Sequence, residues 1–192
     1  MSRATSLSPF SRMLYALLAV PAAVMLYRLL SGSAGADELL HGSGEFSARL
    51  MIIALAATPL RSLWPSASWT AWLLRNRRTF GVMAFTYAAL HTVFYIIDMQ
   101  TLTDMLAELG ALGIWTGWLA LAVFIPLAAT SNDFSVRRLG QRWRWLHRLI
   151  YFAALAVLVH WIYVHNNVTA AWLHFVPLIL LEVFRVVKII RS

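Results

Sequence analysis

Cysteine is absent from the 192 residues, which excludes disulfides, thiolate metal ligands, iron–sulfur clusters and covalent c-type haem attachment. Charge is scarce too. Asp, Glu, Lys and Arg together make up 12% of the chain, only eight residues are acidic, and 60% are hydrophobic; the mean hydropathy is +0.69. A soluble domain carries about 25% charged residues, so this composition describes an integral membrane protein. Neither a G-x-G-x-x-G fingerprint nor a Walker loop occurs, and there is no internal repeat and no extramembrane domain. Whatever the chain binds, it binds among its helices.

A spanning helix needs about 20 mostly apolar residues, and six stretches meet or approach that length: 13–30, 46–64, 79–97, 109–132, 149–164 and 171–190. The expected fold is all-α, one six-helix transmembrane bundle over residues 1–192. The last two stretches lie in one run without Asp, Glu, Lys or Arg from Leu149 to Leu181, which as a single helix would reach about 50 Å. His165, Asn166 and Asn167 form a polar break where that run can turn. The second span is the least regular, since Arg49 and Arg61 bracket its apolar centre and must snorkel to the interfaces. The apolar run after Arg12 superficially resembles a signal peptide; it is read here as the first span, because cleavage would upset the charge pattern.

Loops on the cytoplasmic side of a membrane are enriched in Lys and Arg. With both termini cytoplasmic, fourteen of the sixteen basic residues fall inside, including Arg3, Arg12, Arg61, Arg75, Arg77, Arg78, Arg148 and the Arg137–Arg144 group. Arg28 and Arg49 fall outside with Asp37, Glu38, Glu45, Asp98, Asp104 and Glu108. The high pI therefore reflects topology, and no nucleic-acid partner is expected.

Two histidines lie deep inside uncharged spans, where an ionisable side chain is costly and usually functional. His91 sits about 18 Å from the inner end of span three, and His160 about 17 Å from the inner end of span five. Both spans start inside, so the two imidazoles reach one layer in the outer half of the bilayer. Two neutral imidazoles at one depth on facing helices can hold a b-type haem in a bundle core. A hard cation would want carboxylates, which the spans scarcely offer. Packing histidines, a proton- or ion-transporting pathway and a redox-inert scaffold are the competing readings.

His147 lies at the inner end of span five, about 20 Å below His160 and about 140° from it around an ideal helix. It is level with Arg77 and Arg78. That second layer suits an anionic group, such as a haem propionate or a flavin phosphate, at least as well as a second bis-histidine haem; contact with lipid phosphates is equally compatible. His41 reads as a residue of the acidic outer loop, and His165 and His174 as interfacial. The tryptophans Trp64, Trp69, Trp72, Trp143 and Trp145 on the inner side, and Trp161 and Trp172 on the outer, read as interfacial anchors. Glu182 and Arg185, three apart, can pair along a helix.

The segments Arg77-Arg78 with Ala-Leu-His91, Val136-Arg137-Arg138-Leu139-Gly140-Gln141-Arg142-Trp143, Leu146-His147-Arg148-Leu149-Ile150-Tyr151, and His160 resemble the MsrQ (YedZ) family. This is the haem-binding membrane subunit of a periplasmic methionine sulfoxide reductase system, within the wider ferric-reductase-like transmembrane class, and the similarity runs over about residues 35–188. The resemblance implies an electron-transfer subunit of the bacterial inner membrane that carries one or two b haems and FMN. Its electrons come from the quinone pool or a cytosolic flavin reductase, and its acceptor is a periplasmic molybdopterin reductase that repairs oxidised methionines. His91, His147 and His160 match the family's haem-associated histidines. Arg77 stands where histidine-richer relatives have a further ligand on span three, and Gly44 to Arg49 are more polar than the family's usual opening of span two. On this reading His91 and His160 ligate the outer haem, while His147 with Arg77 and Arg78 forms the inner cofactor or donor site. The acidic segments 37–45 and 98–108 would meet the acceptor.

Overall fold

A computed structural model describes residues 9–165 and 168–191. Among them the regular structure is helical, in the order α1 Pro9–Leu30, α2 Ala36–Leu63, α3 Ser68–Met99, α4 Leu102–Glu108, α5 Leu112–Ala129, α6 Asp133–Leu139, α7 Gln141–Arg148, α8 Ile150–His165 and α9 Val168–Arg191. Among the described residues, five stretches are long and apolar enough to cross a membrane: α1, α2, α3, α5 and the continuous segment Gln141–Val164. These correspond to the first five expected spans. Helix α9 covers the residues of the sixth. The turn expected at Asn166 and Asn167, and Arg3 of the inner charge set, lie outside the described residues.

The helices start where their sequences favour it. Helix α2 begins ten residues before the expected span, with Asp37 and Glu38 in its first turn, where carboxylates complement the helix dipole. The region 37–45, expected as an outer loop, is therefore helical, and His41 pairs with Glu45 one turn on at 3.2 Å. Helix α3 likewise extends inward from residue 79 to Ser68, with Arg61 clamping the preceding turn by donating to the Ala67 carbonyl and Thr70 hydroxyl at 3.2 and 3.3 Å. Short α4 and α6 are capped by Thr101 and Asn132, which accept from the backbone of Asp104 and Ser135. Between α6 and α7 the chain reverses at Gly140 with φ +51°, a conformation that a Cβ would strain.

Helix α2 packs along α3, α5 along α8, and α9 against α2. Two helix pairs, α2–α3 and α5–α8, are brought together through α3 and α5. Helix α1 packs against α3 and α2, with Leu14 buried in the core and Phe10 against Trp72, and one side chain of α3 bonds directly into its backbone. Pro21 interrupts its ladder, as proline lacks a backbone donor and crowds the preceding turn. There the fully buried Tyr87 of α3 accepts from the Ala22 N–H at 3.0 Å and donates to the Leu18 carbonyl at 2.8 Å. Its hydroxyl stands between the two groups of one i→i−4 step and satisfies both, and its ring stacks on Phe46 at 5.2 Å.

Replacing Tyr87 by Phe keeps the stack and leaves those two backbone groups without the hydroxyl. It should destabilise the protein by about 1–3 kcal/mol, read as a lowered unfolding midpoint in detergent; an unchanged midpoint would show that α1 does not depend on this bond.

Candidate functional site

His91 on α3 and His160 on α8 come together. Their ring centroids are 5.9 Å apart and their planes cross at 87°. Each ring is fixed by the neighbouring helix of its own pair: His91 Nδ1 lies 2.9 Å from the Leu40 carbonyl of α2, and His160 Nδ1 lies 2.7 Å from the Gly113 carbonyl of α5. A carbonyl only accepts, so Nδ1 carries the proton in both rings; in the neutral imidazole this leaves the lone pair on Nε2, the tautomer needed by an Nε2-ligating imidazole.

Glycines allow this approach. A methyl group on Gly44 would stand 3.0 Å from His91 Nδ1, and one on Gly117 would stand 2.7 Å from His160 Nδ1. Hydroxyls adjoin both: Ser43 donates to the Leu40 carbonyl at 2.9 Å, and Thr116 to the Gly113 carbonyl at 2.9 Å and the Leu112 carbonyl at 2.7 Å. These four residues escaped the sequence reading. A signal was present on α5, where Gly113 and Gly117 form the G-x-x-x-G spacing that lets membrane helices approach closely.

The two imidazoles line a mainly apolar cavity of about 100 Å³, walled by Tyr95, Trp118, Leu121, Phe124 and Trp161. A metal–imidazole bond is about 2 Å, and the ring centroid lies about 1 Å further, so two rings on one metal place their centroids about 6 Å apart. The observed separation fits that requirement. Cofactor pockets usually exceed about 300 Å³, so a macrocycle held by both rings would have to move lining side chains. Among the described residues there is no group of three or more His, Cys, Asp or Glu able to hold a metal ion by themselves. Two imidazoles suffice only for a metal that arrives with its other ligands.

His147 is placed elsewhere. It lines a second, inner cavity of about 390 Å³ together with Arg77, Arg78, Arg144, Arg148 and Tyr151. Phe124 is the one lining residue shared by the two cavities. His147 Nε2 lies 3.0 Å from the Thr130 hydroxyl, and its ring stacks on Trp143 at 3.9 Å. Trp143 in turn donates to the Thr130 carbonyl at 2.9 Å, so this indole orients a candidate site residue, beyond the anchoring expected of it. Arg77 reaches the Thr58 hydroxyl at 3.4 Å, and Arg78 pairs with Asp133 at 2.6 Å.

The outer histidine expected at the interface is tied into the protein as well. His174 accepts from Arg49 Nε at 3.2 Å, Arg49 pairs with Glu45 at 2.5 Å, and Glu45 lines the outer cavity. Trp161, expected as an anchor, is 3% exposed and lies 5.1 Å from the His174 ring. The expected pairing of Glu182 with Arg185 is present at 2.8 Å.

The family model for the ferric reductase like transmembrane component matches residues 43–159. The protein-methionine-sulfoxide reductase heme-binding subunit MsrQ of Brucella anthropi is 37% identical over 159 residues, covering 78% of this chain and 69% of the relative. The protein of the same name from Rhizobium meliloti is 42% identical over 126 residues, covering 64% and 56%, and that from Brucella ovis 36% over 156 residues, covering 78% and 69%. No solved structure matches the chain.

The Arg78–Asp133 pair has side chains 43% and 45% exposed, and exposed pairs contribute at most about 1 kcal/mol. Asp133→Asn should therefore shift the unfolding free energy by less than about 1 kcal/mol, measured by chemical denaturation in detergent. A larger loss would make this pair a structural tie between α3 and α6.

Proposed function

Since the chain belongs to the MsrQ family of the ferric reductase like transmembrane proteins, we propose that His91 and His160 would hold a b-type haem in a membrane electron-transfer subunit. The observation that carries this reading is the pair of imidazoles 5.9 Å apart, each donating Nδ1–H to a helix carbonyl. The group supplies one-electron redox chemistry when bound. The protein's own part is to present two lone pairs toward one metal and surround them with apolar walls. A His-lined ion pathway is the weaker alternative: a bare cation would need further ligands, and the cavity lining offers only Glu45 as a carboxylate.

The chain sits in the bacterial inner membrane with both ends cytoplasmic. Electrons enter at the inner cavity, from the quinone pool or a cytosolic flavin reductase. His147, Arg77 and Arg78 there hold an anionic group, the phosphate of FMN or a haem propionate, since His147 is the one histidine lining that cavity among the described residues. Electrons leave on the outer side to a periplasmic molybdopterin-dependent methionine sulfoxide reductase, which meets the acidic segments around Asp37 and Asp98.

The purified protein should show a sharp, reducible Soret band. His91→Ala and His160→Ala should each abolish the six-coordinate spectrum, and a spectrum unchanged in both would refute the ligand assignment. The crossed ring planes add a second expectation: the ferric protein should give a strongly anisotropic low-spin electron paramagnetic resonance signal, whereas near-coplanar imidazoles would give a more rhombic one. Neutralising Asp37 and Asp98 should slow reduction of the acceptor while leaving the haem spectrum intact; an unaltered rate would remove those acids from the interface.

A further inference from the structure

The surroundings of the two histidines repeat one arrangement. Ser43 and Gly44 are consecutive on α2; Thr116 and Gly117 are consecutive on α5. In an α-helix the carbonyl of residue i pairs with the N–H of residue i+4. The Leu40 carbonyl, which takes His91, is therefore the one whose helical partner is Gly44, and the Gly113 carbonyl, which takes His160, is the one whose helical partner is Gly117. In both places the hydroxyl one residue before the glycine donates to that same carbonyl, at 2.9 Å from Ser43 and 2.9 Å from Thr116. The imidazoles thus rest on glycine and share their acceptor with a hydroxyl, on two helices unrelated in sequence order or partner.

Each component has a physical task. A side chain at position i of a membrane helix covers the carbonyl one turn back, so glycine opens that carbonyl to an incoming ring. The hydroxyl draws on the same lone pairs as the imidazole. It weakens the Nδ1–H···O bond and keeps the ring from becoming too electron-rich, and outer partners of this kind tune a ligating histidine. We propose that Ser43-Gly44 and Thr116-Gly117 are two equivalent seats whose glycines position His91 and His160 and whose hydroxyls set the donor strength of those imidazoles toward the haem iron. The inference rests on the haem-ligand reading above.

The space at the two glycines ranks the expected effects. An added methyl would meet His160 Nδ1 and Cε1 at 2.7 and 2.8 Å from Gly117, but His91 Nδ1 and Cε1 at 3.0 and 3.1 Å from Gly44. Gly117→Ala should weaken haem binding about 10- to 100-fold, with high-spin haem appearing in what remains, and Gly44→Ala should do so less. The hydroxyl variants test the electronic role separately, because Ser43→Ala and Thr116→Val keep the glycine cleft. Both should retain full haem occupancy yet favour the ferric state. At fixed ambient potential the reduced-to-oxidised ratio should fall about three- to tenfold, the upper figure being about 59 mV for a one-electron couple. The two falls should be similar, since each hydroxyl has a second contact: Thr116 also donates to Leu112, and Ser43 Oγ also lies 3.4 Å from His91 Nδ1.

The experiment is spectroscopic titration of the purified holoprotein and these four variants beside His91→Ala and His160→Ala, with midpoint potential, haem affinity and ferric spin state as readouts. A role in helix packing alone predicts unchanged potentials in the hydroxyl variants. If the histidine variants lose the low-spin haem while all four seat variants keep wild-type affinity, potential and spin state, the seats are refuted and the ligand assignment stands. If the histidine variants keep it, both fall. Should Gly117→Ala fail to accumulate in the membrane, Gly44→Ala and the two hydroxyl variants decide the matter.

Discussion

Two hydrogen bonds from imidazole Nδ1 to helix carbonyls govern the rest of this site. Inside a bilayer there is little water to solvate a polar N–H, and helix carbonyls are already engaged in the ladder. An imidazole that needs an acceptor must find a carbonyl with space beside it, and in this chain such space lies at Gly44 and Gly117. Once Nδ1 is committed there, the tautomer and the ring plane are set together. The 87° crossing of the rings follows from the placement of the two carbonyls on different helix pairs.

That constraint also explains the packing arrangement. His91 is held against α2 and His160 against α5, so each helix pair delivers one finished imidazole and the association of the pairs through α3 and α5 brings the rings within 5.9 Å. The site depends on the register between the pairs through α3 and α5, while within the second pair α5 approaches α8 closely at Gly113, where a methyl would stand 2.8 Å from Val164. Tyr87 and Phe46 fill the α2–α3 pair below, and Tyr87 fastens α1 to it.

Much of this was legible because one number, the rise per residue, converts sequence into depth. The matched depths of His91 and His160 and the lower level of His147 all follow from counting from the charged ends of the spans. Rotation about a helix axis and choice of neighbour are harder to read. The beginning of α2 at Ala36 was hidden because its polar first turns read as loop, although Asp37 and Glu38 are favourable there. Ser43, Gly44, Thr116 and Gly117 act only through residues distant in sequence. Trp143 and Trp161 were assigned by their depth to the interfacial belt; contacts with His147 and His174 give them other surroundings.

The two cavities pose opposite electrostatic problems. Around the outer one the walls are mainly apolar and the imidazoles neutral, which suits a metal whose remaining ligands and counter-charge come with it. At the inner one Arg77, Arg78, Arg144 and Arg148 converge beside Leu127 and Ile150. Their observed partners are largely uncharged: Arg77 meets Thr58, Arg144 meets Gln141, and Arg148 lies over the Trp145 ring, with Asp133 alone bonding Arg78. Converging like charges near an apolar wall repel and are poorly solvated, so an anion lowers their energy wherever it comes from. A phosphate-bearing group would satisfy that demand, and Phe124 is the wall common to both cavities. Lipid phosphates would satisfy the same charge.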